Sequence, residues 1–464
     1  QEDRPIITDY TDNFPQEKTA SIYTREETNK SKTFKWLWGE RYRKLYSTEL
    51  TVPIVNLDTL FGGLSPVRKG GGHQSSSLRL KNKEGQEYIM RAMRKDALLY
   101  IQAVGFKDQF VKNEFAGTKT EELVLDVFTG DHPFTQFIIG DLADAAGIFH
   151  TNPKLYYVPK QNAIGRFNDE FGDALYAIEE RTADGHGDKA SFGYANKMIS
   201  TLDMLEKVKK NEDHKIDETT YVRARLFDML LGDWDRHQDQ WRWAIFEENG
   251  GTVYKPVPRD RDQAFSIMND GFALGLATRL AAPTRVLNSY EEDIKDVQWS
   301  NLNPYVLDVA VIQESDKAVW DEQAAYVASH ITDEVIEAAF DKLPDEVKDE
   351  NMEDIKRKLK GRRSNLRKIS DAYFKVVNRY AVVRGTDKDD WFEIERMPNG
   401  QTKVTGYRIK KDEKGPVFHE KIYETESTKE IWVYGLDDND YFHVAGEGDH
   451  PIKLRMIGGS NHDS

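Results

Sequence analysis

Two short acidic stretches hold the residue types best suited to chemistry. Residues 231–243 read LGDWDRHQDQWRW, which places Asp235, Arg236, His237 and Gln240 just past a helical run ending at Gly232. Residues 255–265 read KPVPRDRDQAF and place Asp260 and Asp262 among arginines. Two β-like runs at 241–247 and 252–257 join the stretches, so a hairpin brings both acidic loops to one edge. Carboxylates fixed that way can hold a divalent cation through hard oxygen ligands. Phosphoryl transfer needs little more: a carboxylate near the acceptor hydroxyl, a carboxylate on the metal and cations on the phosphates.

The elements that must position these loops fall into four spans. Residues 1–45 are polar and irregular and read as an extended arm. Residues 46–180 are β-rich with a helix. Runs at 50–55, 77–80, 88–93, 154–159 and 174–179 read as strands, and Asn82, Lys83, Glu84 and Gly85 make a hairpin turn between the second and third. Residues 105–150 read as helical, with Gly147 as a C-cap. Residues 181–385 are mainly helical, over 196–232 and 317–383, and carry the acidic loops. From 390 the apolar period changes to two, giving a small all-β module over 386–464.

Composition narrows the function classes. Apolar residues make up 39% and aromatics 11%, which excludes disorder for most of the length. The formal net charge of −15 argues against nucleic acid as a partner. There is no cysteine, which removes disulfides, thiolate zinc sites, iron–sulfur clusters and cysteine nucleophiles. No His-Glu-x-x-His or Gly-x-Ser-x-Gly spacing is present, and no metallophosphoesterase ligand set can be assembled. No apolar run is long enough to cross a bilayer. The start at Gln1 fits a mature exported chain or a piece of a longer one, and the glycine-rich ending favours truncation.

The triplet Asp235-Arg236-His237 followed by an aspartate loop resembles the catalytic and metal loops of atypical kinases, among them phosphoinositide kinases, secreted-pathway kinases and CotH-type spore-coat kinases. That resemblance implies an α+β fold: a two-lobed, atypical protein-kinase-like domain followed by the β module. It implies Asp235 as catalytic carboxylate with His237 beside it, Asp260 as main metal ligand, Asp262 as a second, and Gln240 in the remaining metal position. Gly70, Gly71, Gly72 and Gln74 would form a phosphate-covering loop, and Arg91 would stand where kinases keep the phosphate-binding lysine. Glu114, Glu121 or Glu122 would pair with Arg91, and residues 175–181 would connect the lobes. The cofactors implied are ATP with Mg or Mn if the site is active, and none otherwise.

From about residue 40 to the end, the chain also resembles the periplasmic region of large Gram-negative outer-membrane proteins. The shared phrases lie at 42–46, 62–67, 146–153 and the two acidic loops, and the tail at 434–440 with 457–459 fits the segment before a barrel. In such proteins a surface-antigen β-barrel follows, and a metallophosphoesterase domain sometimes precedes. This implies a periplasmic, outer-membrane-associated setting and a barrel partner in the same or a neighbouring chain.

Three departures from the kinase pattern stand out. Gln240 replaces an asparagine, Arg91 replaces a lysine, and the glycine cluster has neither kinase nor P-loop spacing. The blander readings are a corner held by an Asp–Arg pair with His237 buried, a plain turn at the glycines, and a half-exposed strand residue at Arg91. Trp234, Trp241 and Trp243 could stack on a base or glycan, but tryptophans at alternating strand positions read more readily as core. The loop at 437–440 reads as an Asx-rich turn, and the basic run at 356–363 as a solvated helix face. Two functions remain: a metal-dependent phosphotransferase, or a non-catalytic binding or assembly module that keeps the scaffold. An arginine in the gap between the acidic corners favours the second.

Overall fold

A computed structural model describes residues 10, 12–70, 74–105 and 118–459. The first lobe is built on a five-stranded antiparallel sheet, in the order Ser65–Lys69, Ser77–Lys81, Glu87–Ala92, Ala174–Glu180, Lys154–Val158. Side chains alternate faces along a strand. Leu78, Leu80, Tyr88, Met90, Tyr176 and Ile178 therefore share one face, and they pack on Leu57, Leu64, Ile164 and Phe171. The other face carries Ser77, Arg79, Ile89, Arg91 and Glu179, and it looks toward the second lobe. The turn at Asn82 forms as expected. Its Oδ1 accepts the amides of Glu84 at 3.1 Å and Gln86 at 2.8 Å, and Gly85 takes φ +90°.

The second lobe is mainly helical. Helix Glu218–Leu231 is capped by Asp217, which accepts the amide of Thr220 at 3.0 Å. It ends at Gly232 in the left-handed region at φ +72°. A Cβ there would lie 2.6 Å from the Tyr290 ring, so glycine answers both the backbone and the packing. Helix Glu350–Asn378 is the longest element and buries Met352, Ile355, Leu359, Leu366, Ile369 and Tyr373 along one stripe. The hairpin Trp241–Glu248 with Gly251–Pro258 buries Trp241 and Trp243 fully.

The structure differs from the sequence reading in three places. The span 196–232 is not one helix: Met198–Ser200 and His214–Ile216 are short strands flanking helix Thr201–Lys210. Pairing with the two sides of the hairpin outweighs helical periodicity there. The span 105–150 likewise breaks, with helices Lys119–Val127 and Ile139–Ala145 separated around Pro133, whose ring cannot continue a helix. The N-terminal segment is not merely an arm. Ile22, Tyr23, Tyr42, Leu45 and Tyr46 belong to the main core, and the Tyr42 hydroxyl donates to the carbonyl of Phe265 at 2.6 Å.

The C-terminal module packs a four-stranded sheet, Gln401–Lys410 central, against three parallel strands Tyr380–Arg384, Glu430–Tyr434 and Lys453–Ile457. Phe392, Val404, Tyr423, Ile431 and Val433 form its core. Its first strand starts at Tyr380, directly after the long helix. The module docks on the helical lobe through Lys421, which donates to Asn378 at 2.8 Å, and through the amide of Arg384 on Gln313 at 3.0 Å. Among the described residues no helix is long and apolar enough to cross a membrane.

Candidate functional site

The two acidic corners are held together by the middle residue of the Asp235-Arg236-His237 triplet. Arg236 is fully buried. It donates to the carbonyls of Arg259 at 2.7 Å and Gln240 at 3.0 Å, lies over the Trp241 ring, and faces Asp228 and Asp233 at 3.5 Å each. One guanidinium thus ties the end of the first loop to the start of the second. This is the Asp–Arg corner that the plain reading expected, but the partners are Asp228 and Asp233, not Asp235. His237 is not buried: its side chain is 43% exposed.

Because of that tie, both loops open into one cleft between the lobes, about 210 Å³ in volume. Gln74, Arg91, Asp235, His237, Gln240, Asp260 and Asp262 all line it. Gly71, Gly72 and Glu114 lie outside the described residues. Asp260 takes a left-handed backbone, φ +52°, uncommon for a residue with a side chain. Such strain persists only where the surroundings enforce it.

The charges inside the cleft are largely paired with each other. Arg91 forms a close ion pair with Asp260 and lies 3.8 Å from Glu179 on the adjacent strand. Burial pushes the Asp260 carboxyl up, but Arg91 and Arg259 outweigh it and hold it down at about 2. Glu179 goes the other way, pushed up to about 7 by burial despite Arg91. Lys95 holds Asp262 at 2.7 Å. Asp235 accepts from Asn303 at 3.2 Å and lies 3.9 Å from His237, and burial raises its carboxyl above the ordinary range. Behind the cleft, Asp131 is pushed up to about 8 by burial and by Asp262, and one of its oxygens accepts from Gln263 at 3.0 Å.

The helix expected to supply a glutamate to Arg91 does not do so with Glu121 or Glu122. Glu122 is exposed, and the charge of Glu121 acts on Arg94. The counter-charges of Arg91 come from Glu179 and Asp260 instead. The reading also missed Lys95, Arg79, Arg181, Arg259 and Thr182, all of which line the cleft. For Arg79 and Arg181 the signal was available, since alternation from Arg91 across the paired strands puts them on the same face. Lys95 lies beyond the strand end, where no periodicity speaks.

The residues expected to hold a metal do not fit one as they stand. Asp260 and Asp262 are each engaged by a cation. Among the described residues no group of three His, Asp or Glu side chains gathers to hold an ion. Gln240 Oε1 is buried without a partner, but a single neutral oxygen is no cation site. What the cleft offers without rearrangement is hydrogen-bond donors, arginines and the single carboxylate of Asp235.

The arrangement is kinase-like in its geometry: a sheet lobe over a helical lobe, a cation on the third strand of the sheet, and a loop carboxylate of the helical lobe, Asp260, meeting it. No protein-family model and no curated protein matches the chain. Among solved structures it is similar to the Helicobacter pylori proinflammatory kinase CtkA, at 10% identity over 68% of this chain and 95% of that one, with a TM-score of 0.35. It is also similar to the Chaetomium thermophilum Rio2 kinase in its ADP/Mg2+-phosphoaspartate complex, at 12% identity over 60% and 70% of the two chains, with a TM-score of 0.25. A third is the amicoumacin kinase hAmiN with AMP-PNP, Ca2+ and Ami, at 10% identity over 66% and 88%, with a TM-score of 0.17. Superpositions this loose leave the two-lobed, α+β assignment resting on the sheet order and the cleft.

Proposed function

We propose that this chain is a kinase-like binding or assembly module whose inter-lobe cleft takes a ligand without transferring phosphate. It would act at the periplasmic side of an outer membrane, beside a β-barrel in the same or a neighbouring chain. The observation that carries the non-catalytic reading is the Arg91 guanidinium seated on Asp260, the carboxylate a metal would need. An arginine paired in this way is a built-in substitute for the ion, since it supplies the positive charge from the protein itself. The setting is supported by the phrases shared with outer-membrane proteins at 42–46, 62–67 and 146–153.

A second reading, a divalent-metal-dependent phosphotransferase, is favoured by Asp235. Among the described residues no lysine or arginine pairs with it, it faces the cleft, and its raised carboxyl suits a group that accepts a proton from an acceptor hydroxyl. ATP with Mg or Mn would then be required, and the Arg91–Asp260 pair would have to open. Thermal shift of the full chain separates the two. The expected result is no stabilisation by manganese–ATP beyond that given by ATP in EDTA. Manganese-dependent stabilisation that Asp260→Ala abolishes, in a variant that still unfolds cooperatively, would establish the phosphotransferase reading instead.

A further inference from the structure

The cleft face of the sheet lobe is unusual for a nucleotide site. A site that holds a flat base is mostly apolar, with few polar groups to orient it. Here the corresponding face carries Arg79, Arg91, Glu179 and Arg181, and Ile89 is the one large apolar side chain lining the cleft among the described residues. The volume, about 210 Å³, is also below the roughly 300–1,000 Å³ common for sites that enclose drug-sized ligands.

The charges divide into two groups. At the inner end Arg91 and Lys95 are matched by Asp260 and Asp262. Elsewhere arginines crowd one another, although Arg181 pairs with Glu87 at 2.7 Å and Arg259 lies 3.7 Å from Asp260. Burial, with Arg181, Arg68 and Arg259, pulls the Arg79 guanidinium below its usual range. Burial, with Arg259 and Arg181, pulls Arg242 down to about 10. Among the described residues the Arg79 side chain makes no ion pair or hydrogen bond, and the Arg242 side chain donates only to the Trp241 carbonyl. Such a cluster is costly in a folded chain unless an anion answers it.

Donors that point to the same ligand line the cleft. Thr182 is 3% exposed and its hydroxyl has no hydrogen-bond partner among the described residues; Arg259 Nε likewise has none, although it lies 3.7 Å from Asp260, and the unbonded hydroxyl of Ser75 lies at the inner end with Lys95 and Asp262. Buried polar atoms in native proteins are almost always bonded, so unpaired ones lining a cleft call for a ligand. We propose that Arg79, Arg181 and Arg259, with the hydroxyl of Thr182, form a metal-independent subsite for a compact polyphosphate, occupying the space a nucleobase would need. Arg181 stays tethered to Glu87 at 2.7 Å and presents its remaining donors. The inference rests on the reading that the cleft is the binding site, and it adds the class of ligand.

Isothermal titration of the full chain in EDTA with tripolyphosphate, ATP and adenosine tests it. Tripolyphosphate should bind at least as tightly as ATP, and adenosine should not bind. Arg79→Gln should weaken tripolyphosphate about tenfold or more, as loss of a charged hydrogen-bond donor does. Thr182→Val, close in shape, should weaken it several-fold with an unchanged melting temperature in the absence of ligand, and it serves if Arg79→Gln does not fold. Binding of adenosine alone, ATP binding more than tenfold tighter than tripolyphosphate, or no anion binding at all would overturn the proposal. These outcomes are read without metal, so they stand apart from the manganese test of the module reading.

Discussion

Two clusters of arginine and aspartate lie within a few residues of each other in this chain and have opposite characters. In the helical lobe, Arg225 donates to Asp308 at 2.9 Å, to Asp228 at 2.7 Å and to Asn301 at 2.7 Å, while the hydroxyls of Tyr221 and Tyr373 also donate to Asp308. Arg236 and Arg261 complete it against Asp228 and Asp233. Three arginines meet three aspartates, all buried, although Asp233 Oδ1, Arg236 Nε and Arg261 Nε and Nη2 have no hydrogen-bond partner among the described residues. In the cleft the ion pairs are partly open to solvent, and Arg79 and Arg259 keep donors to spare. The first cluster holds the lobe together and the second is poised for an outside anion. Residue type alone does not separate them; exposure of the ion pairs to solvent does.

The sharpest way to break that contrast is to cut one arginine from each. Arg225→Met removes the one cation paired with buried Asp308 among the described residues and one of three around Asp228, and should cost about 3–5 kcal/mol, read as a lowered denaturant midpoint. Arg91→Met leaves Asp260 near Arg259 and within reach of water, and should cost roughly 1.5–3 kcal/mol. Equal losses would make the cleft pair structural and remove the distinction.

The pH dependence of stability sharpens it further. Asp131, at about 8, and Asp233 and Glu179, both at about 7, keep protons in the folded chain that an unfolded carboxyl releases near about pH 4. The native state binds more protons across that window, so stability should fall as pH rises from about 5 to about 8. Asp131→Asn should flatten this slope in urea midpoints measured across the range. Asp260 works in the opposite sense: its contribution is complete above about pH 4 and is lost as pH falls toward about 2. A slope unaffected by Asp131→Asn would mean that this carboxyl is charged in the folded state.

The smallest effect is expected on the basic run of the long helix. Lys360 pairs with Glu337 at 2.7 Å on the surface, and Lys360→Ala should change stability by less than about 0.5 kcal/mol. A larger loss in thermal unfolding would show that this face does more than stay solvated.

Parts of the fold were legible because their causes are local. The Asn82 turn, the Gly232 stop, the alternation of Leu78 and Leu80, and the tryptophans of the hairpin follow from neighbours a few residues away. So did the convergence of Asp235 and Asp260, since one hairpin joins them. The core role of Tyr42 and Tyr46, the strand at Met198–Ser200 and the unpaired hydroxyl of Thr182 were not legible, because each depends on a partner far along the chain.

The amino-acid pattern by itself determined a sheet-then-helix order, an all-β ending and two acidic loops on one edge, because periodicity, capping and turn chemistry act over a few residues. Only the folded chain decided which cations those acids meet. Lys95 and Asp262 are 167 residues apart, and Arg91 and Asp260 are similarly distant. Charge pairing at that range is set by how two lobes close on each other, which depends on side-chain packing and desolvation that local spacing does not encode.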